Sequence, residues 1–331
     1  MKILYAIQGT GNGHLARAMD VIPCLKKHGA VDLLISGTQA DIELPYPVKY
    51  RLQGWGFIFG ESGGVDIWKT ISKTNLLRLI REIKQLPVKD YDLVISDFEP
   101  VSAWSCRFKG KACVGLSHQI AVIDESAPRS LKRDFLGAAI LRYYAPSKFP
   151  YGFHFKSYAA HIYTPVIRKQ VRAQTPVDKG HYSVYLPAYS DALLIRFLSR
   201  FPNIQWEVFS KHNQQARMMG NIHLRPVNNE AFIESMASSS GVLCGAGFET
   251  PAEALFLGKK VMVIPMTNQY EQHLNAAALQ EMGIPIIPSL HVKYEKQIAA
   301  WLDQAKHIDV HYKDQAQEVI NSIVQKHGPQ A

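Results

Sequence analysis

Residues 242–276 read VLCGAGFETPAEALFLGKKVMVIPMTNQYEQHLNA, and the organisation of the whole chain follows from them. The run Gly241-Val-Leu-Cys244 is short, apolar and β-like, and it stops at Gly245-Ala-Gly247. Glu249 to Leu257 then has helical composition, with Pro251 acceptable only in a first turn. A helix that starts directly after a glycine-bearing turn presents unpaired N–H groups and a positive dipole end, which suits a phosphate. Gly258 closes that helix, and Lys260 to Pro265 reads as a second buried parallel strand. Glu271 and Gln272 come next, ahead of Asn275-Ala276, where another helix is expected to start. Two strand ends thus feed two helices and gather acidic and amide side chains at one edge of a sheet. In open α/β sheets that edge binds ligands.

Length and composition bound the rest. A chain of 331 residues predicts two domains of ordinary size, and a hydrophobic content of 47% is enough for two packed cores. No apolar run reaches the length of a membrane helix. MKILYAI at residues 1–7 is too short for a signal peptide, so a cytoplasmic protein is expected. Cys24, Cys106, Cys113 and Cys244 are widely spaced and read as reduced thiols. The net charge of +9 implies an anionic partner: nucleic acid, an acidic lipid surface or a nucleotide phosphate.

At the other end of the chain, Lys2 to Ile7 reads as a buried strand that enters Gln8-Gly-Thr-Gly-Asn-Gly-His-Leu-Ala-Arg17 and then a helix through Leu25. Strand, glycine turn and helix invite a dinucleotide-binding reading. That reading fails, because His14 stands where a third glycine is needed and Val31 to Gly37 ends without a carboxylate for a ribose. The sequence Asp90-Tyr-Asp92 precedes a strand instead of leaving one, so we do not read it as a metal site. Asp97 and Glu99 stand at that strand's C-terminal end, where Asp97 can cap the next helix. His118 and Gln119 leave the following strand at the same edge. Leu76 to Leu86 predicts an amphipathic helix with Leu76, Leu77, Leu79, Ile80 and Ile83 facing the core. Tyr46, Tyr50, Trp55, Phe57 and Phe59 suggest a strand and an aromatic loop. Residues 129–158 interleave Lys132, Arg133, Arg142, Lys148 and Lys156 with aromatics, which suits an anionic membrane surface, nucleic-acid binding, or an amphipathic helix on the N-terminal sheet followed by an aromatic loop.

The ordered set Gly245, Gly247, Glu253, Gly258, Pro265, Glu271, Gln272, Asn275 and Ala276 resembles the donor-binding signature of GT-B glycosyltransferases, the group that includes MurG-type and UDP-glycosyltransferase enzymes. Lys259-Lys260 departs from the pattern, which has a proline there. The decapeptide 8–17 resembles the N-terminal signature of the same family. This resemblance implies an α/β fold of two Rossmann-like domains facing a central cleft, with a C-terminal helix crossing back to the first domain. The expected divisions are an acceptor domain at 1–164, a linker at 165–180, a nucleotide-sugar domain at 181–312 and a helical tail at 313–331, with Tyr294 to Lys326 helical throughout.

The resemblance also assigns roles. His14 is the base and Asp97 its orienting acid, with Glu99 in reserve. Donor contacts fall to Gly11, Gly13, Val227, Gly245, Ala246, Gly247, Phe248, Glu249, Glu253, Glu271 and Gln272, with Glu253 on the ribose. Asn12, Arg17, Glu99, His118 and Gln119 face the acceptor. It implies an inverting, metal-independent transfer that needs no cofactor. The partners are a nucleotide-sugar donor, UDP-linked by preference, and a hydroxyl acceptor for which a lipid-linked glycan is one option. An epimerase of the same fold would form product without an acceptor. A nucleic-acid-binding protein would explain the charge but not the two motifs.

Overall fold

The computed structural model describes residues 1–37, 44–55, 75–132, 134–304 and 307–329. Phe57, Phe59 and Arg133 lie outside the described residues. The first sheet contains β1 (Lys2–Gln8), β2 (Ala30–Ser36), β3 (Tyr50–Leu52), β4 (Leu93–Asp97), β5 (Val114–Ser117), β6 (Phe149–Phe153) and β7 (Ile162–Tyr163). Their order is β3-β2-β1-β4-β5-β6-β7, and every pairing is parallel. The second sheet contains β8 (His181–Tyr185), β9 (Gln205–Ser210), β10 (Arg217–Met219), β11 (Ile222–Pro226), β12 (Gly241–Gly245) and β13 (Lys260–Ile264). Its order is β10-β11-β9-β8-β12-β13, parallel except for the β10 edge.

Central strands such as Ile3 to Ile7 and Val242 to Cys244 are buried on both faces, which is why they read as unbroken apolar runs. Each sheet has one point where the winding direction reverses, between β1 and β4 and between β8 and β12. At such points the flanking connections leave toward opposite faces and open a crevice beyond the strand ends. The first crevice collects Gln8 and Asp97, the second Tyr185 and Gly245. The two Rossmann-like domains also share a core: Phe153 and Phe155 of the first pack with Phe248 of the second in one apolar cluster.

The helix Ala316–His327 returns to the first domain and packs on the helix Asn12–Lys26. It buries Val319, Ile320 and Ile323, and Tyr151 Oη lies 2.8 Å from His327 Nε2. Three expectations need correction here. The tail is two helices, Glu295–Asp303 and Ala316–His327, not one. Between them Ile308, Val310 and Tyr312 pack on the core at a spacing of two, the period of an extended chain. The helix Leu76–Gln85 buries only Leu79 and Ile83, an i, i+4 pair, and leaves Leu76, Leu77 and Ile80 exposed. Five apolar positions span more of its circumference than one contact covers. The third correction concerns Glu271 and Gln272, which are not ahead of a helix but inside the first turn of Tyr270–Glu281.

Candidate active site

β1 runs into a turn whose Gly11 has φ +105°, a left-handed conformation that explains a glycine at the head of the helix Asn12–Lys26. His14 and Arg17 lie three residues apart on that helix and so share a face. Both point at Asp97, the fully buried last residue of β4. His14 Nδ1 lies 2.8 Å from Asp97 Oδ1, and Arg17 Nη2 donates to Oδ1 at 2.7 Å and to Oδ2 at 2.9 Å. Burial works to raise the Asp97 carboxyl, but the Arg17 guanidinium and His14 outweigh it and hold it below the usual carboxylate range. On the far side of the imidazole, Gln119 Nε2 stands 3.5 Å from His14 Nε2 and donates to Glu271 Oε2 at 3.1 Å. A carboxylate at Nδ1 and an amide donor at Nε2 select the same tautomer, with the proton on Nδ1 and a lone pair on Nε2. Phe98, directly after Asp97, has φ +54° and turns its ring parallel to His14 at 6.4 Å. A non-glycine residue in this region stores strain of the kind found at functional sites.

Two cavities open at the strand ends of the two sheets. One, of about 130 Å³, lies between the domains and is lined by His14, Phe98, Gln119, Glu271, Tyr270 and the helix Phe135–Tyr143. The other, of about 200 Å³, lies over the crevice of the second sheet, between Leu186–Tyr189, Gly245–Gly247 and Ile264–Thr267. Gln272 and Thr250 also line it. A Cβ on Gly247 would meet nothing within 4 Å, so the turn presents bare backbone at the head of the helix Glu249–Phe256. Adjacent residues of one helical turn, Glu271 and Gln272, thus serve different cavities. Among the described residues no group of three or more His, Cys, Asp or Glu side chains is placed to hold a metal ion.

The sequence model of glycosyl transferase family 1 matches residues 1–304 of this chain. The chain belongs to that family. It is a glycosyltransferase, and its solved structural relatives have the same GT-B fold. MurG of Acinetobacter baumannii superposes with a TM-score of 0.56 at 14% identity, covering 98% of this chain and 99% of that one. Arabidopsis thaliana UGT89C1, solved with UDP, gives 0.58 at 12% identity over 98% and 94%. The Streptomyces sp. SF2575 glycosyltransferase SsfS6, solved with thymidine diphosphate, gives 0.56 at 14% over 98% and 99%. No curated protein sequence matches the chain.

Within this glycosyltransferase several residues stand elsewhere than their sequence reading placed them. Arg17 is not open to an acceptor: it is 3% exposed and committed to Asp97 and Glu249. Glu99 caps the helix Pro100–Phe108, accepting from the Val101 and Ser102 N–H groups and from Ser36 Oγ. The capping role considered for Asp97 is therefore filled two residues later, which frees Asp97 for His14. His118 is buried, with Nδ1 on the Phe153 carbonyl, Nε2 on Asn275 Oδ1 and its ring stacked 3.8 Å from Phe248. That stack joins the domains and takes both His118 and Phe248 out of ligand reach. Ala246 is buried, and its carbonyl accepts from Asn275 Nδ2. Val227 is exposed at the end of β11 with its N–H spent on the Ser210 carbonyl. Asn12 opens the helix that carries His14.

Glu253 differs most. Its carboxylate is 2% exposed, neither an open ribose ligand nor a solvated helix residue. Arg168, from the segment joining the domains, grips both oxygens, Nε on Oε1 and Nη2 on Oε2 at 2.7 Å. Its remaining nitrogen, Nη1, donates to Asn229 Oδ1. Burial raises the Glu253 carboxyl and Arg168 opposes that. Sequence reasoning missed Arg168 because a lone arginine in a polar linker carries no periodicity or motif. It also missed Gln8, whose amide holds Thr10 Oγ1 and Tyr144 Oη at the rim of the dyad cavity.

Proposed function

We propose that the enzyme moves a sugar from a nucleoside diphosphate donor, UDP-linked by resemblance, to a hydroxyl acceptor with inversion at the anomeric carbon. The observation that carries this reading is the His14–Asp97 dyad in the wall of a cavity between the two domains. The acceptor hydroxyl enters beside Phe98 and Gln119. His14 Nε2 takes its proton as the oxygen attacks the anomeric carbon, and Asp97 stabilises the imidazolium that forms. The bond from that carbon to the β-phosphate oxygen breaks on the opposite face, and the nucleoside diphosphate leaves. Its charge settles on the N–H groups at the head of the helix Glu249–Phe256, which supports departure without a metal ion. Gln272 and Glu271 bond the sugar hydroxyls. Glu253 reaches a ribose only by sharing its lone pairs with Arg168.

The acceptor side supports an amphiphilic substrate. Leu131, Phe135, Leu136 and Tyr143 are exposed around the helix that lines the dyad cavity, with Lys132 and Arg142 among them. Apolar side chains flanked by cations suit an anionic membrane surface on its cytoplasmic side and a lipid-linked acceptor.

Thermal denaturation with a panel of nucleoside diphosphates, with and without Mg²⁺, tests the donor site. A ligand present at about a hundred times its Kd stabilises the fold by about 2.7 kcal/mol. UDP should do so whether or not metal is added. No shift with any diphosphate would remove the donor reading, and product formed without acceptor would make the enzyme an epimerase.

A further inference from the structure

Glu249 belongs to the second domain, at the first turn of the helix that heads the donor crevice, yet its carboxylate points across the cleft. Arg17 Nη1 of the first domain donates to its Oε1 at 2.9 Å. A second observation marks the same contact. A Cβ built on Gly13 would come within 2.6 Å of Glu249 Oε2, so this glycine is the opening through which the carboxylate reaches the base helix. Arg17 is fully committed: Nε and Nη2 serve Asp97, and Nη1 serves Glu249.

The arrangement matters because Arg17 Nη2 also lies 3.1 Å from His14 Nδ1. Two bonding patterns compete at that nitrogen. If Nδ1 carries its proton it donates to Asp97 Oδ1, and Nε2 is left as a base. If Nδ1 is bare it accepts from Arg17, the proton sits on Nε2, and the imidazole cannot take a proton from an acceptor. With Nη1 held by Glu249, the guanidinium is fixed in rotation with its other nitrogens on the Asp97 carboxylate. Released from Glu249, the planar fork can turn about its stem toward Nδ1.

We infer that Glu249 is a positioning residue that couples closure of the cleft to the His14 tautomer, so that the base is set only when the two domains meet. Resting on the glycosyltransferase reading above, this moves Glu249 from donor ligand to gate. It joins a carboxylate on the donor-bearing domain to a base on the other, 232 residues earlier in sequence for the Arg17 contact. A cleft opened far enough to break the Arg17–Glu249 contact would then hold an imidazole less able to activate water or an acceptor.

The test is ¹⁵N NMR of the histidine ring nitrogens in the full chain, with the His14 resonances assigned by His14→Gln, combined with UDP titration calorimetry. Glu249→Gln and Gly13→Ala are the two perturbations, one removing charge and one blocking approach. In the unaltered protein His14 should show the Nδ1–H form. In both variants a substantial fraction should move to the Nε2–H form, while in Glu249→Gln the Kd for UDP stays within about threefold. An unchanged His14 spectrum in both variants would overturn the coupling. A UDP affinity lowered more than tenfold by Glu249→Gln would also overturn it and return Glu249 to the donor site. Should Glu249→Gln fail to fold, Glu249→Asp, which is too short to span the cleft, replaces it with the same expected spectrum. UDP failing to bind the unaltered protein speaks against the donor reading alone, because the tautomer measurement needs no ligand.

Discussion

Replacing Arg168 by Met leaves the Glu253 carboxylate in a site where it is 2% exposed and has lost both of its guanidinium bonds. Breaking a buried pair by removing one partner costs about 3–5 kcal/mol, since the remaining charge is neither solvated nor paired. Glu253 has one escape, which is to take up a proton. Burial already pushes its carboxyl above the ordinary value of 4.5, and without Arg168 nothing comparable opposes that push. Protonation at pH 8 against an unfolded carboxyl of ordinary strength costs at most about 4.8 kcal/mol, at 1.36 kcal/mol per pH unit, and at pH 5 less than about 1 kcal/mol. A group whose folded pKa lies above its unfolded one loses stability as pH rises through the interval between them. The variant should therefore be close to normal stability at pH 5 and about 3–5 kcal/mol less stable at pH 8. Urea denaturation followed by tryptophan fluorescence at pH 5, 6.5 and 8 reads this directly. The double variant Arg168→Met/Glu253→Met should recover most of the loss and flatten its pH dependence. A loss equal at all three pH values, or no recovery in the double variant, would refute the reasoning.

Other expectations follow from the same geometry. His14→Ala should lower transfer by a factor of about 10²–10⁴, the usual contribution of a positioned general base, with UDP affinity unchanged by calorimetry. Asp97→Asn should reduce kcat by at least a hundredfold and also destabilise the fold by about 3–5 kcal/mol, because Arg17 is left buried beside an uncharged amide. Since Arg17 and His14 hold the Asp97 carboxyl below its ordinary value of 3.8, its contribution to stability is present above that pH and is lost as pH falls through the lower, folded value. Acid titration by circular dichroism of the unaltered protein against Asp97→Asn should show the difference between them closing at the acid end. Lys132→Glu with Arg142→Glu should weaken sedimentation with anionic vesicles and leave neutral vesicles unaffected; equal binding to both would remove the membrane reading.

Much of this molecule can be read from local pattern. Unbroken apolar runs at Ile3–Ile7 and Val242–Cys244 announce parallel strands, since only strands buried on both faces can be apolar at every position. The glycine turns before Asn12 and Glu249 announce helix heads at ligand-binding edges, because backbone conformation is a property of a few neighbouring residues. The functional class was legible only through the resemblance to GT-B glycosyltransferases that those turns and the residues around them carry. What a carboxylate does depends on which partner reaches it, and that is settled by contacts far apart in sequence. Asp97 and Glu99 are two residues apart and equally acidic, yet one orients His14 and the other caps a helix. Glu249 and Glu253 are one turn apart on the same helix, yet one crosses the cleft to Arg17 and the other is closed off by Arg168 from the linker. His118 leaves a strand at the ligand edge, as its sequence position says, but the second domain folds over it and turns it into a joint. The central strands and the helix heads that follow glycine turns were decided by the sequence alone because short-range sterics and burial periodicity decide them. The choice among chemically equivalent side chains was left to the tertiary structure, because a charge inside a protein takes its role from the hydrogen-bond donors and opposite charges within reach.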